Sequence, residues 1–300
     1  MGVASKIFSL KAIFEPLMNM RFLLLPFFLL ITSTSLLSEV KPFAPSIYPF
    51  QNGVNFKTLE EGVRIVKELG YHGIGSVYPN RLAEFKAACD TEKLKIYSIY
   101  VDSRVNEDGF SYDQQIDKVF AVLKGSDALV ELNVQRGKNP TDEQAIALVG
   151  EVADKAKEAG LKVVLYPHSN FFIERVDHAV RIAKAANRDN LGIAFNLCHF
   201  LKVQPTDDLS ATLTEAKPFL WSVSINGADT EGKDWNTLIR PLDEGTFDQA
   251  TLIEILRKIG YKGAVGLQCF NIKIDSRQHL TRSIKAWKKF LVATEDQPIQ

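Results

Sequence analysis

"LGIAFNLCHF", residues 191–200, opens as an apolar run and closes on Asn196, Cys198 and His199. The apolar part reads as a buried strand. A core strand that ends in hydrogen-bonding and ligating groups points to a site built at strand ends. Outward from this stretch the pattern repeats along the chain. Strand candidates are "SIYPF" (46–50), "GIGSVY" (73–78), "KIYSIYV" (95–101), "ALVELNV" (128–134), "KVVLYPH" (162–168), "LGIAFNL" (191–197), "WSVSING" (221–227) and "AVGLQCF" (264–270). Helical runs with apolar residues at i, i+3, i+4 and i+7 separate them. In "TLEEGVRIVKELG", Leu59, Val63, Val66 and Leu69 fall in line and Gly70 is the stop. "TDEQAIALVGEVADKAKEAG" has Thr141 or Asp142 as its cap and closes at Gly160, and "TFDQATLIEILRKIG" ends at Gly260.

Eight βα units predict an α/β chain folded as one (β/α)8 TIM barrel over residues 45–292, followed by a tail at 293–300. An open doubly wound sheet is the rival. It calls for a glycine-rich phosphate loop after its first strand, and "PFQNGVNF" is not one. Alternation within the strands supports closure. Leu129, Glu131, Asn133 and Gln135 share one face of the fourth candidate; Val164, Tyr166 and His168 one face of the fifth. Ala194, Asn196 and Cys198 share one face of the sixth, Ser222, Ser224 and Asn226 of the seventh, and Ala264, Gly266 and Gln268 of the eighth. The opposite residues, such as Val163, Ile193, Val223 and Val265, are apolar, as strands backed by helices require. The first set is small low in the strand and polar high in it, like a lumen opening into a site.

Lys plus Arg and Asp plus Glu number 36 each, so no net positive charge draws the chain to nucleic acid. Three cysteines, Cys89, Cys198 and Cys269, form no disulfide framework and no CxxC pair. No GxSxG, P-loop or HExxH motif is present. "MRFLLLPFFLLITSTSLLSEV" from Met20 has the basic, apolar and small-polar order of a secretory signal. Residues 1–38 are therefore expected to be a signal peptide or N-terminal anchor, with the mature protein exported to the periplasm or medium. Contact with a membrane is expected only through that segment, if it stays uncleaved.

The order of elements, with polar residues on strands five to eight, resembles the xylose-isomerase-like sugar isomerase and epimerase barrels over residues 45–290. Members of that family commonly hold one divalent metal through a Glu on strand five, an Asp on strand six, a His on strand seven and a Glu on strand eight. Carried onto this chain, those positions fall on Tyr166, Asn196, Asn226 and Gln268. His199 of the "NLCH" pattern and Asp229 of the "NGAD" pattern are kept. All four ligand positions hold neutral groups, which bind a hard dication weakly, so no metal or other cofactor is expected. A metal held by relocated ligands among His168, His199, Glu131 and Asp229 is the low-ranked alternative. The fold also hosts metal-dependent DNA-repair endonucleases, which the neutral charge and altered ligands argue against.

The resemblance implies a carbohydrate-acting enzyme that abstracts a proton next to a carbonyl, giving isomerisation, epimerisation or lyase-type elimination. The expected catalytic groups are His168, Glu131 and His199. Tyr166, Asn196, Asn226, Gln268, Lys202, Asp229 and Trp235 are expected to bind a small carbohydrate substrate, with no nucleic-acid partner. His168 is expected to act as proton shuttle, oriented by a neighbour such as Glu131. The rival function is a metal-free barrel that binds a carbohydrate without turning it over.

Overall fold

The helices form where their start and stop signals stand. Thr58 accepts from the Glu61 N–H and opens Leu59–Glu68. Thr141 and Gln144 form a reciprocal capping box at the start of Asp142–Glu158. Asp248 accepts from Ala250 and Thr251 ahead of Gln249–Lys258. Each of these helices is followed by a glycine in left-handed backbone, Gly70, Gly160 and Gly260, at φ +89°, +73° and +71°. This computed structural model describes residues 42–295, so the expected signal segment at 1–38 lies outside the described residues.

Among the described residues ten strands follow in chain order: β1 (Ile47–Pro49), β2 (Gly73–Ile74), β3 (Lys95–Ile96), β4 (Ser98–Asn106), β5 (Gly109–Tyr112), β6 (Leu129–Arg136), β7 (Lys162–Leu165), β8 (Leu191–Asn196), β9 (Leu220–Ile225) and β10 (Val265–Leu267). One sheet runs β1-β10-β9-β8-β7-β6-β4-β5, and β2 pairs with β3. Parallel bridges Phe50↔Gly75 and Val77↔Ile99 tie β2 between its neighbours and close the circle. The result is a TIM-barrel-like parallel α/β fold. Two details depart from the sequence reading. The third strand continues to Asn106 and pairs antiparallel with β5. The last helix, Ser276–Glu295, runs past position 292. Among the described residues no helix is long and apolar enough to cross a membrane.

Strand parity holds. Val163, Leu165, Ile193, Phe195, Val223, Ile225, Val265 and Leu267 belong to the main apolar core, while Val164, Tyr166 and Ala194 form a separate inner cluster. Aromatic rings fill the lumen, and glycines give them room. A Cβ on Gly75 would lie 2.1 Å from the Tyr48 ring, and one on Gly266 would lie 2.5 Å from the Phe50 ring. Between β8 and β9 the register slips: Ile193 faces Leu220, but Ala194 faces Ser222. Trp221 is the extra residue of this bulge. Its ring crosses Gly192, where a Cβ would come within 2.4 Å of Trp221 Cδ2.

Glu131 sits fully buried inside this aromatic packing. Neither carboxyl oxygen makes a hydrogen bond of normal geometry among the described residues. Burial pushes its pKa up from 4.5 to about 7, opposed by the nearby Ser98 and Ser76 side chains. The raised value fixes the sign of the linkage. Below about pH 4.5 the carboxyl is protonated in both folded and unfolded chains and costs nothing. Between there and pH 7 stability falls, because only the unfolded chain ionises freely. Glu131→Gln is therefore expected to stabilise the protein above pH 7 by on the order of 3 kcal/mol and to leave it unchanged near pH 4. Urea unfolding at the two pH values measures this, and an equal effect at both would contradict it.

Candidate active site at the C-terminal barrel mouth

Residues just beyond the strand ends line a cavity of about 240 Å³. Phe50 and Asn52 come from the end of β1, Ser76 and Tyr78 from beyond β2, and Tyr100 from β4. Tyr166 and His168 follow β7, and His199 lies in the helix Leu197–Val203 directly after β8. Trp235 and Ile239 follow β9; Gln268 and Phe270 follow β10. This is the end of the barrel where sites form in this fold.

The polar end of "LGIAFNLCHF" is a helix start. Strand β8 stops at Asn196, and the helix begins at Leu197. Asn196 is the N-cap: its Oδ1 accepts from the Cys198 N–H at 3.1 Å and from the Cys198 thiol at 3.0 Å. Its Nδ2 donates to the Tyr166 hydroxyl oxygen. Cys198 therefore leaves the strand parity expected of it and packs with Leu238 and Ile239 instead. Gln268 plays a similar part after β10. Its Oε1 accepts from Cys269 N and Phe270 N, both at 3.0 Å, and from Asn52 Nδ2 at 3.1 Å. Asn226 donates through Nδ2 to Gly227 O at 2.9 Å and to Leu238 O at 2.6 Å. It thereby pins the short helix Trp235–Leu238 over the mouth.

Five expected residues line the pocket: Tyr166, His168, His199, Trp235 and Gln268. The other five stand elsewhere. Asn196 lies beneath it, under Tyr166. Asn226 is fully buried behind the loop it holds. Glu131 is deeper in the lumen and is not the group that orients His168. Lys202 donates to Lys233 O and lies 5.7 Å from the Trp235 ring centroid, so it buttresses Trp235 from outside. Asp229 is paired with Arg240 at 2.7 Å. Strand parity places a side chain on a face, but it does not reveal which amides are consumed by backbone groups. Asn52 and Ser76 were not among the expected residues. They lie just past strands of three and two residues, too short to carry an alternation signal.

Two histidines meet in the pocket. Their ring centroids are 3.9 Å apart. His168 also stacks on Phe171 at 4.0 Å, and His199 meets Trp235 edge-on at 5.4 Å. The Nδ1–H of His168 donates to the Ser169 carbonyl at 2.9 Å. A carbonyl only accepts, so this Nδ1 carries the proton and Nε2 has the free lone pair. His199 Nδ1 accepts from the Ser169 backbone N–H at 3.4 Å, so its proton sits on Nε2. One residue thus sets opposite tautomers on two touching rings. Burial holds the His168 pKa below its ordinary value, against the Ser169 hydrogen bond and the charge of Asp102. Burial and then the neighbouring His168 hold His199 well below it. Both directions favour the neutral rings. Burial, followed by the charge of Glu131, keeps Tyr166 protonated; with Asn196 donating to its oxygen, its own O–H is left to donate.

These residues do not fit a divalent cation. The four ligand positions present no carboxylate, and the Asn196 and Gln268 oxygens are turned onto backbone N–H groups. Among the described residues no three His, Cys, Asp or Glu side chains gather as a metal set.

Comparison with known proteins agrees with this architecture. No curated protein matches the sequence. Among solved structures, the IolI protein with a bound zinc atom superposes with a TM-score of 0.67 at 14% identity, covering 84% of this chain and all of that one. The 3-keto-D-glucoside 4-epimerase of E. coli gives 0.63 at 19% identity, over 82% of this chain and 99% of that one. An L-ribulose 3-epimerase gives 0.62 at 16% identity, over 84% and 96%. At these identities the likeness is one of fold. The model of the family described as xylose isomerase-like TIM barrel matches residues 63–290, most of the chain, and the protein belongs to that family.

Proposed function

We propose that this barrel is a carbohydrate-acting enzyme that moves a proton on carbon next to a carbonyl, with His168 as base and His199 as the facing acid. The observation that carries the proposal is the pair of opposite tautomers set by Ser169. Proton abstraction needs a lone pair at the carbon and a donor at the oxygen. His168 Nε2 takes the proton as the C–H bond breaks, and the electron pair moves into the carbonyl. The oxygen gains the proton of His199 Nε2 as the enediol forms, and the Tyr166 O–H stands beside it as a further donor. Return of the proton to the neighbouring carbon gives isomerisation, loss of a β-substituent gives elimination, and delivery of a different proton from a donor on the opposite face gives epimerisation. Aromatic Trp235, Tyr78 and Tyr100 suit the C–H faces of one sugar ring in a cavity of about 240 Å³. Sugar epimerases with the same fold, one acting on a 3-keto-D-glucoside by its name, support the choice of substrate class. The reading includes no resident metal.

The expected test is exchange from heavy water into a 3-keto-glucoside or a ketose, followed by NMR. Wild-type protein should wash deuterium into the position next to the carbonyl, and His168→Ala should lower that rate by about 10²–10⁴-fold. Because burial lowers the His168 pKa, the acid limb of the pH–rate profile should lie below the ordinary imidazole value of about 6.5. A protein that binds these sugars by calorimetry yet exchanges no label would leave the non-catalytic binding barrel, the reading favoured by the four neutral ligand positions.

The metal-free reading has its own test. Asn226→Asp turns a carboxylate onto the Gly227 and Leu238 carbonyls and removes both donors. It should destabilise the fold by on the order of 3 kcal/mol in urea unfolding. Added Mn²⁺ or Mg²⁺ should leave wild-type exchange unchanged. Stimulation by either ion would refute this reading.

A further inference from the structure

A larger cavity, of about 620 Å³, opens at the opposite end of the barrel. Its walls come from the N-terminal ends of strands: Lys95 at β3, Leu129 at β6, Lys162 at β7, Trp221 and Ser222 at β9, and the segment Tyr261–Ala264 before β10. Nothing in the proposed reaction uses it. Three features set it apart from a packing gap.

First, it is basic. Lys95, Lys162, Lys217 and Lys262 all line it, and Asp127 is its one acidic lining residue. Asp127 lies 3.9 Å from Lys95 and is almost wholly exposed. Lys162, Lys217 and Lys262 have no carboxylate within salt-bridge distance among the described residues, whereas many surface lysines here do, as in Lys86–Asp90, Lys155–Asp117 and Lys157–Asp189. Second, it is aromatic. Trp221 lies on its wall with Lys162 Nζ 5.4 Å from the ring centroid, and Tyr48, Tyr97 and Tyr261 also line it. Third, Trp221 is there through backbone irregularity. The bulge between β8 and β9 supplies it as an extra residue, and Gly192 gives its ring the space. Bulges of this kind re-aim side chains.

Together these define a ligand. Ammonium groups on a rim attract an anionic substituent, and flat rings below them suit the C–H faces of a sugar. The volume falls in the range of small-molecule sites, about 300–1,000 Å³. We propose that the N-terminal mouth binds a sugar bearing an anionic group, phosphate or carboxylate, at a site separate from the histidine pair. Lys162, Lys217 and Lys262 hold the charge and Trp221 flanks the ring.

The test is calorimetric titration of the full protein at low salt with glucose 6-phosphate, glucuronate, glucose and inorganic phosphate. At least one anionic sugar should bind, at least about tenfold more tightly than glucose or inorganic phosphate, and binding should weaken with added salt. The triple variant Lys162→Ala, Lys217→Ala, Lys262→Ala changes only exposed side chains. It should keep the wild-type melting curve and lose at least about tenfold in affinity. Trp221→Phe should abolish the fluorescence change that binding produces. His168→Asn should leave the titration unchanged, which separates this site from the catalytic reading. Absence of binding by either anionic sugar, binding retained by the triple variant, binding lost with His168→Asn, or inorganic phosphate binding as tightly as the sugars would each overturn the proposal.

Discussion

A closed barrel buries the ends of its own strands, so polar groups at the mouth need partners in a confined space. Here carboxamides supply them. Asn196 accepts from the first turn of a helix and donates to Tyr166. Gln268 accepts three N–H groups at the turn after β10, and Asn226 donates to two carbonyls. A carboxylate could accept as Asn196 and Gln268 do, but it could not donate as Asn226 must. The loops that carry His199, Trp235 and Phe270 are held by these amides. The resemblance puts a cation's ligands at those positions; in this chain the same places hold backbone groups.

That exchange leaves the two histidines without a charged partner in the pocket. With no carboxylate lining the pocket, nothing beside the rings stabilises an imidazolium strongly, and burial depresses both pKa values. Two neutral rings in contact avoid like-charge repulsion. They differ only in which nitrogen carries hydrogen, and Ser169 decides that through its carbonyl and its N–H. The asymmetry that the proposed acid–base role requires thus comes from one residue's backbone rather than from a charged partner.

Much of the fold is legible in the residues. The helix caps, the glycine stops and the period-two alternation each have a local cause, and the observed elements follow them. Five of the ten expected site residues line one pocket: Tyr166, His168 and Gln268 follow strand parity, while His199 and Trp235 stand on helices beyond β8 and β9. The rest escape for identifiable reasons. At Leu197 the chain turns into a helix, which ends the parity that had placed Cys198 in the lumen. Asp229 reads as a loop charge, but Arg240, its partner, lies beyond the intervening turn. Ser76 adopts φ +51°, which propensity does not foretell for a serine. The Trp221 bulge depends on a register slip between two strands, and no single strand encodes that.

The two mouths of the barrel differ because different constraints act on them. At the C-terminal end longer loops and helix starts fold over the mouth, so the cavity is small, neutral and hydrogen-bonded from below. At the N-terminal end the chain passes from helix to strand through tight glycine turns such as Gly160 and Gly260, which leave the opening wide. Lysines at the starts of β3 and β7 then project around it without closing it. Between the mouths Tyr48, Tyr100 and Tyr166 pack around the buried Glu131. Of these four groups Glu131 is the one with a pKa near 7. Burial among these rings, and not a charged partner, is what raises the Glu131 pKa.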